Sequence, residues 1–200
     1  MTAAIDDEAY SRRLSTAVAP RHGLRRWVDP QRPSRWNIRR LQLGIALDVG
    51  CGVGRHLAHL DAGSVGIDPN PHCIAVARGR GLTVWTTDEF ESTAPVAEGS
   101  FDSLLLAHVL EHMPYDQAQA LLARYLPFVR PGGKVVAICP QARGQRSDPT
   151  HVTFLPPTRL VELVEGAGLR ITHRASFPLP FAMGRWFTHN ETVVAGQLEA

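Results

Sequence analysis

The chain has 200 residues, 44% of them hydrophobic and 20% charged, which is enough for one globular domain with a sizeable core and a short extension. Its 21 Lys and Arg against 19 Asp and Glu leave a formal charge of +2, too small for bulk attraction to nucleic acid or an anionic membrane. Cys51, Cys73 and Cys139 are widely spaced and odd in number, so they form no CxxC pair or disulfide framework and point to a reducing cytoplasm. The opening MTAAIDDEAYSRR is acidic where a signal peptide would be basic. The longest apolar run, Leu104 to Leu110, is interrupted by His108 and falls far short of the roughly 20 residues of a membrane span.

Residues 1–43 differ from the rest. Between Arg12 and Arg40 lie nine arginines, Trp27 and Trp36, and a single acid, Asp29. The segment reads as an extension punctuated by Pro20, Pro30 and Pro33, with a short helix near Trp36–Leu41. From residue 44 to residue 200 the chain alternates short apolar runs with helical periodicity, the pattern of βαβ units. Strands are predicted near Ile45–Val49, Ser64–Asp68, Thr83–Thr87, Phe101–Ala107, Lys134–Cys139, Leu169–Arg174 and Glu191–Ala195. Helices are predicted near Gly54–Leu60, Pro71–Arg80, Tyr115–Val129 and Pro157–Ala167. In the third of these, Ala118, Leu121, Leu122, Tyr125 and Leu126 recur at helical spacing before a stop at Pro131–Gly133.

The stretch Leu47-Asp48-Val49-Gly50-Cys51-Gly52-Val53-Gly54-Arg55 runs an apolar strand into a glycine loop that should open a helix. Glycines permit a tight turn and close approach to a ligand, while free N–H groups at a helix start favour a carboxylate or phosphate. A dinucleotide fingerprint wants G-x-G-x-x-G, but Arg55 stands at the third glycine position; a phosphate-binding G-x-x-x-x-G-K-[ST] string is absent. Asp68 closes a second strand 18 residues after Gly50, where an acid can accept hydrogen bonds from both hydroxyls of a ribose; the alternative use is to cap the helix after Pro69.

With Asp48, the glycine loop and Asp68 in register, the chain resembles the class I S-adenosylmethionine-dependent methyltransferases over most of residues 44–174. Gly99-Ser100-Phe101-Asp102 leading into Leu104–Met113, and Val129-Arg130-Pro131-Gly132-Gly133-Lys134, are similar to the family's fourth-strand motif and its turn into the fifth strand. The resemblance implies a Rossmann-like α/β fold, with a seven-stranded mostly parallel sheet, helices on both faces and an antiparallel last strand. It implies S-adenosyl-L-methionine as cofactor, held by Asp48, Gly50, Cys51, Gly52, Asp68, Pro69, Thr87, Asp88, Glu89 and His108. The family's third-strand acid falls here at Thr86, so Asp88 and Glu89 or a backbone carbonyl must serve the adenine.

Methyl transfer asks for in-line placement, and for a base where the acceptor atom carries a proton. His151, in the Asp148–Phe154 loop, is the first candidate and His112 the second, with His108, His189 and Tyr115 behind them. His56 and His59 with Cys51 lack a carboxylate or thiolate set to complete a metal shell, and are read as part of a surface helix, so no metal is expected. No Asn/Asp-Pro-Pro-aromatic string follows the fourth strand and no Pro-Cys loop occurs there, which argues against DNA bases and leaves a small-molecule acceptor. Ser176–Phe187 is aromatic and proline-stiffened, suited to lining an apolar or aromatic substrate pocket or to covering a sheet edge. Together with Trp27 and Trp36 it is expected to close over the transferred methyl group. Two other readings stay open: RNA methylation through the Arg/Trp-rich segment, and a non-catalytic cofactor-binding module.

Overall fold

The computed structural model describes residues 32–93 and 96–200. Trp27 and most of the arginine-rich segment, residues 1–31, lie outside the described residues.

Seven strands form one sheet: β1 (Ala46–Val49), β2 (Val65–Asp68), β3 (Val84–Thr86), β4 (Phe101–Ala107), β5 (Val129–Pro140), β6 (Arg170–Phe177) and β7 (Glu191–Gln197). Their spatial order is β3-β2-β1-β4-β5-β7-β6. The first five run parallel, and β7 is inserted antiparallel to both β5 and β6. This is the mostly parallel Rossmann-like sheet with an antiparallel last strand. The strands β1 and β2 are buried at every residue, as expected when helices cover both faces.

Helices α1 (Arg32–Arg40), α2 (Pro71–Gly79), α3 (Thr87–Ser92), α4 (Tyr115–Tyr125), α5 (Ala142–Gln145) and α6 (Pro157–Gly166) complete the described fold. On one face Leu122 and Tyr125 of α4 and Leu160, Leu163 and Val164 of α6 pack on Leu47, Leu104, Leu106, Val135 and Ala137. On the other, Ile38 of α1 and Leu43 join Leu105, Val136, Ile138, Phe177 and Val193 in a second core cluster. Asn70 caps α2, its side chain accepting from the backbone N–H groups of His72 and Cys73. Among the described residues no helix is long and apolar enough to cross a membrane.

Four expectations change. No α-helix occupies Gly54–Leu60; a 3-10 turn, Leu57–His59, is all that forms. Gly50, Gly52 and Gly54 all take positive φ, +75°, +53° and +75°, which a right-handed helix cannot include, and Leu60 is already extended. The predicted third helix ends as α-helix at Tyr125, followed by a 3-10 turn over Leu126–Phe128, and Pro131–Gly133 lies inside β5 as a bulge. β6 runs on to Phe177 beside β7. The unanticipated α3 begins where Thr86 and Glu89 form a reciprocal capping box.

Candidate functional site

Parallel sheets bind ligands beyond the carboxyl ends of their strands, at the point where strand order reverses, here between β1 and β4. A cavity of about 280 Å³ lies there, just below the ~300–1,000 Å³ usual for small-molecule sites. Gly50, Cys51, Gly52, Arg55 and His56 line one side, and His108, Ser147, Asp148, His151, His189 and Glu191 the other. Five of the sequence-predicted residues, Gly50, Cys51, Gly52, His108 and His151, therefore meet at one cavity, joined by His189. Asp48, Asp68, Pro69, Thr87, Asp88, Glu89 and His112 are not among its lining residues.

The glycine loop is tied to β2. Ile67 O accepts from Gly50 N at 2.7 Å and from Cys51 N at 3.0 Å, and Asp68 Oδ2 accepts from Gly52 N at 2.8 Å. Asp68 Oδ1 accepts from Asn70 N at 2.9 Å. Asp68 thus holds the loop to the strand end, while the helix cap, the alternative use weighed for it, falls to Asn70. A side chain at Gly50 would be strained by its φ and would place a Cβ 2.3 Å from Val109 Cγ2, so only glycine fits between the loop and the β4 exit. With no α-helix behind the loop, no helix dipole points at the cavity; Arg55 is the positive group the loop brings to its wall.

Asp48 is buried, with the Leu57 N–H as one donor and Oδ2 without a hydrogen-bond partner. Burial, reinforced by the charge of Asp68, raises its carboxyl to about 7. Cys51, Cys73 and Cys139 are buried free thiols, and burial pushes Cys51 and Cys139 far upward, so neither acts as a thiolate.

His108 leaves β4 with φ +60°, a left-handed conformation uncommon for a residue with a side chain. Its Nδ1 lies 3.2 Å from Glu111 Oε1 and its Nε2 2.9 Å from Glu191 Oε1. Two carboxylate acceptors require both ring nitrogens to carry protons. Burial works against the charge, but Glu191 and Glu111 overcome it and lift His108 to about 10. His56 is correspondingly held neutral: burial, then the charges of Arg55 and His108, lower it. The two rings stack with centroids 6.3 Å apart. His56 is therefore not on a solvated helix face, because the loop turns it inward to Ser34 Oγ, 3.2 Å from its Nε2.

A second histidine pair lies behind. His112 and His151 pack edge to face with centroids 4.9 Å apart. The loop carrying His151 is pinned to Glu111, whose carbonyl accepts from Val152 N at 2.7 Å and Thr153 N at 3.0 Å. Tyr115 is elsewhere, under the Arg159 guanidinium at 4.0 Å.

At the third strand, Glu89 Oε2 accepts from Thr86 N at 2.8 Å and from Arg78 at 2.6 Å, which lowers its carboxyl below the usual range. Its charge is committed to the cap and the ion pair, and Asp88 beside it is exposed. Trp36 and Phe177 do come together, stacking at 5.7 Å, but on the second core face and outside the cavity lining. Phe181, Met183 and Trp186 are exposed, because the 3-10 turn Phe181–Arg185 stands against α5 at the rim; only its neighbours Thr188 and His189 enter the wall.

Residues 47–137 match the family model described as a methyltransferase domain. In sequence the chain is 34% identical over 97 residues to a ubiquinone biosynthesis O-methyltransferase of Xanthomonas oryzae pv. oryzae (strain PXO99A). That match takes in 44% of this chain and 40% of the relative, so the chain covers well under half of the relative's length. In structure it is similar to a SAM-dependent methyltransferase from Archaeoglobus fulgidus, with TM-score 0.60 and 17% identity over 82% of this chain and 92% of that one. It is also similar to magnesium protoporphyrin IX methyltransferase of Synechocystis PCC 6803 with bound SAH, with TM-score 0.68 and 14% identity over 96% of each chain. At these identities the structural likeness establishes the fold.

Proposed function

From the match of residues 47–137 to the methyltransferase-domain model, we propose that the protein transfers a methyl group from S-adenosyl-L-methionine to a small-molecule acceptor. The observation that carries this reading is the cavity opening on Gly50, Cys51 and Gly52 at the sheet's reversal point. The residues fit the cofactor. Arg55 on the cavity wall suits its carboxylate, and Glu191, also on the wall, suits its cationic groups. The ribose is assigned to Asp68, at the end of β2, and the adenine end to Pro69, Thr87 and Asp88.

Bound, the cofactor supplies an electrophilic methyl group on a sulfonium. The chain's part is to orient the acceptor, exclude water and take a proton where the acceptor loses one. His108 is held as an imidazolium between two carboxylates and is a positioning residue, not a base. His151 and, behind it, His112 are the pair we assign to the acceptor. The walls carry Arg55, His56, Asp148 and His189 as well, so the reacting end of the acceptor is polar, while an apolar or aromatic body would rest on the exposed rim at Phe181 and Trp186.

Calorimetry with S-adenosylhomocysteine and, separately, NAD tests the reading. Saturable binding of the first and none of the second is expected; NAD binding with no response to S-adenosylhomocysteine overturns it. Labelled-methyl transfer into a metabolite extract then identifies the acceptor.

A further inference from the structure

Glu111, His112 and His151 each offer one donor atom, and the three atoms lie within 4.8 Å of one another. We propose that these side chains hold a divalent cation of the zinc class at the back of the cavity, beside the acceptor. This rests on the function proposed above and deepens it, because it assigns the histidine pair to an acceptor's oxygen through a cation instead of to direct proton removal.

Three features beyond proximity support a built site. First, Glu111 is fully buried, and its two oxygens are unequal: Oε1 pairs with His108, whereas Oε2 makes no hydrogen bond. The Cys139 thiol lies against this carboxylate, but a thiol is a weak donor and does not compensate a buried charge. A cation would. Second, the tautomer of each histidine is set by its surroundings. His112 Nδ1 lies 3.2 Å from Thr150 O, and His151 Nδ1 lies 3.1 Å from Gln145 O. A carbonyl only accepts, so Nδ1 carries the hydrogen in both rings and Nε2 keeps its lone pair, the arrangement that supports a metal-ligating histidine. Third, the supports are themselves anchored. Thr150 Oγ1 donates to Asp148 Oδ1 at 2.7 Å, which leaves the Thr150 hydroxyl oxygen to accept from His112 Nδ1 at 3.2 Å. The Glu111 carbonyl holds the backbone of Val152 and Thr153. The three donors therefore sit on two segments, Leu110–His112 and the Asp148–Phe154 loop, that are bonded to each other.

Two imidazoles and one carboxylate are a donor set for zinc or a similar transition ion, and leave a position for a further ligand; magnesium prefers oxygen and water. Bonds of about 2.1 Å bring donors to roughly 3–4 Å of one another, so small side-chain rotations close the set. His151 also lines the cavity, so a cation held there is within reach of what the cavity binds. The matching acceptor class is one that presents an ionisable or chelating oxygen. His56, His59 and Cys51, weighed from the sequence as ligands, are not the set the fold assembles.

The test uses the full chain stripped with a chelator, titrated calorimetrically with Zn²⁺, and then with Co²⁺ while visible absorption is followed. One equivalent of tight binding and ligand-field bands from bound Co²⁺ are expected. His112→Ala and His151→Ala should each weaken uptake about 100-fold, and His72→Ala, at an exposed site on α2, should leave it unchanged. Glu111→Gln would expose a folding role, so the two histidine variants carry the test, each checked for an unchanged melting temperature. Absence of uptake by the parent, or equal uptake by the His112→Ala/His151→Ala protein, overturns the site. S-adenosylhomocysteine binding, measured on the same samples, separates the two readings: retained without metal uptake, it leaves the function standing and removes the cation; metal uptake without it does the reverse.

Discussion

At the scale of single residues the site is built from charges whose states are set by burial and neighbours. Asp48 shows the effect most clearly, since its folded carboxyl is raised to about 7 whereas an unfolded aspartate titrates near 4. Between those values the folded protein keeps a proton that the unfolded chain has lost. Stability from this group is therefore complete at low pH and is lost as pH rises toward 7, by up to ~1.4 kcal/mol per unit, with no further change above. Asp48→Asn removes the titration while keeping the shape. The melting temperature of the variant relative to the parent, measured without ligand, should climb from pH 5 to 7 and then level off. A difference that is flat across this range would show that Asp48 ionises normally in the folded state. Four carboxylates thus divide three roles: Asp68 ties the loop, Glu111 and Glu191 hold His108 charged, and Asp48 stays buried with a partnerless oxygen.

At the scale of elements, the short segments place the chemistry. The left-handed glycines shorten the first crossover to a 3-10 turn, which swings His56 into the cavity wall. On the other side of β2, the capping box between Thr86 and Glu89 starts α3 and keeps Glu89 occupied. Thr86→Ala removes a half-buried cap and should cost about 0.5–2 kcal/mol, a fall of roughly 2–6 °C in melting temperature. Because Glu89 then serves the helix, Glu89→Gln should lower the melting temperature and leave S-adenosylhomocysteine affinity within about twofold. A tenfold loss of affinity with unchanged melting would instead assign Glu89 to the adenine.

At the scale of the whole molecule, the antiparallel insertion of β7 between β5 and β6 decides the site. It brings Glu191 opposite Pro140, at the carboxyl edge of the parallel strands, and so next to His108, 83 residues earlier in the chain. The buried faces on either side of the sheet make a core in which α1 already takes part through Ile38. We therefore expect a chain lacking residues 1–31 to fold and to bind S-adenosylhomocysteine normally, with any loss confined to turnover of the acceptor. Thermal denaturation with and without ligand checks the first part: the ligand-induced rise in melting temperature should equal that of the full chain. A truncated protein that no longer responds to the ligand would place the first 31 residues in the cofactor site.

Local pattern determined a good deal by itself. Alternating apolar runs and helical periodicity gave the seven strands, because hydrophobic spacing is a property of neighbours in sequence, while the sheet with its antiparallel last strand came from the family resemblance. Gly50-Cys51-Gly52 and the spacing to Asp68 located the loop, since backbone freedom and a strand-end acid are likewise local. What pattern could not show is which side chains meet. The His56–His108 stack and the His108–Glu191 pair join residues dozens of positions apart. The meeting of Glu111, His112 and His151 is likewise between distant segments. The His-Val-Leu-Glu-His spacing of His108–His112 carried a signal for part of this, two histidines around a carboxylate on one tight turn, but not for the partners. Those contacts exist because loop 148–154 is bonded to Glu111 and because β7 enters the sheet antiparallel. The strand order that places them is chosen by burial of both sheet faces at once, a condition that only the assembled tertiary structure can satisfy.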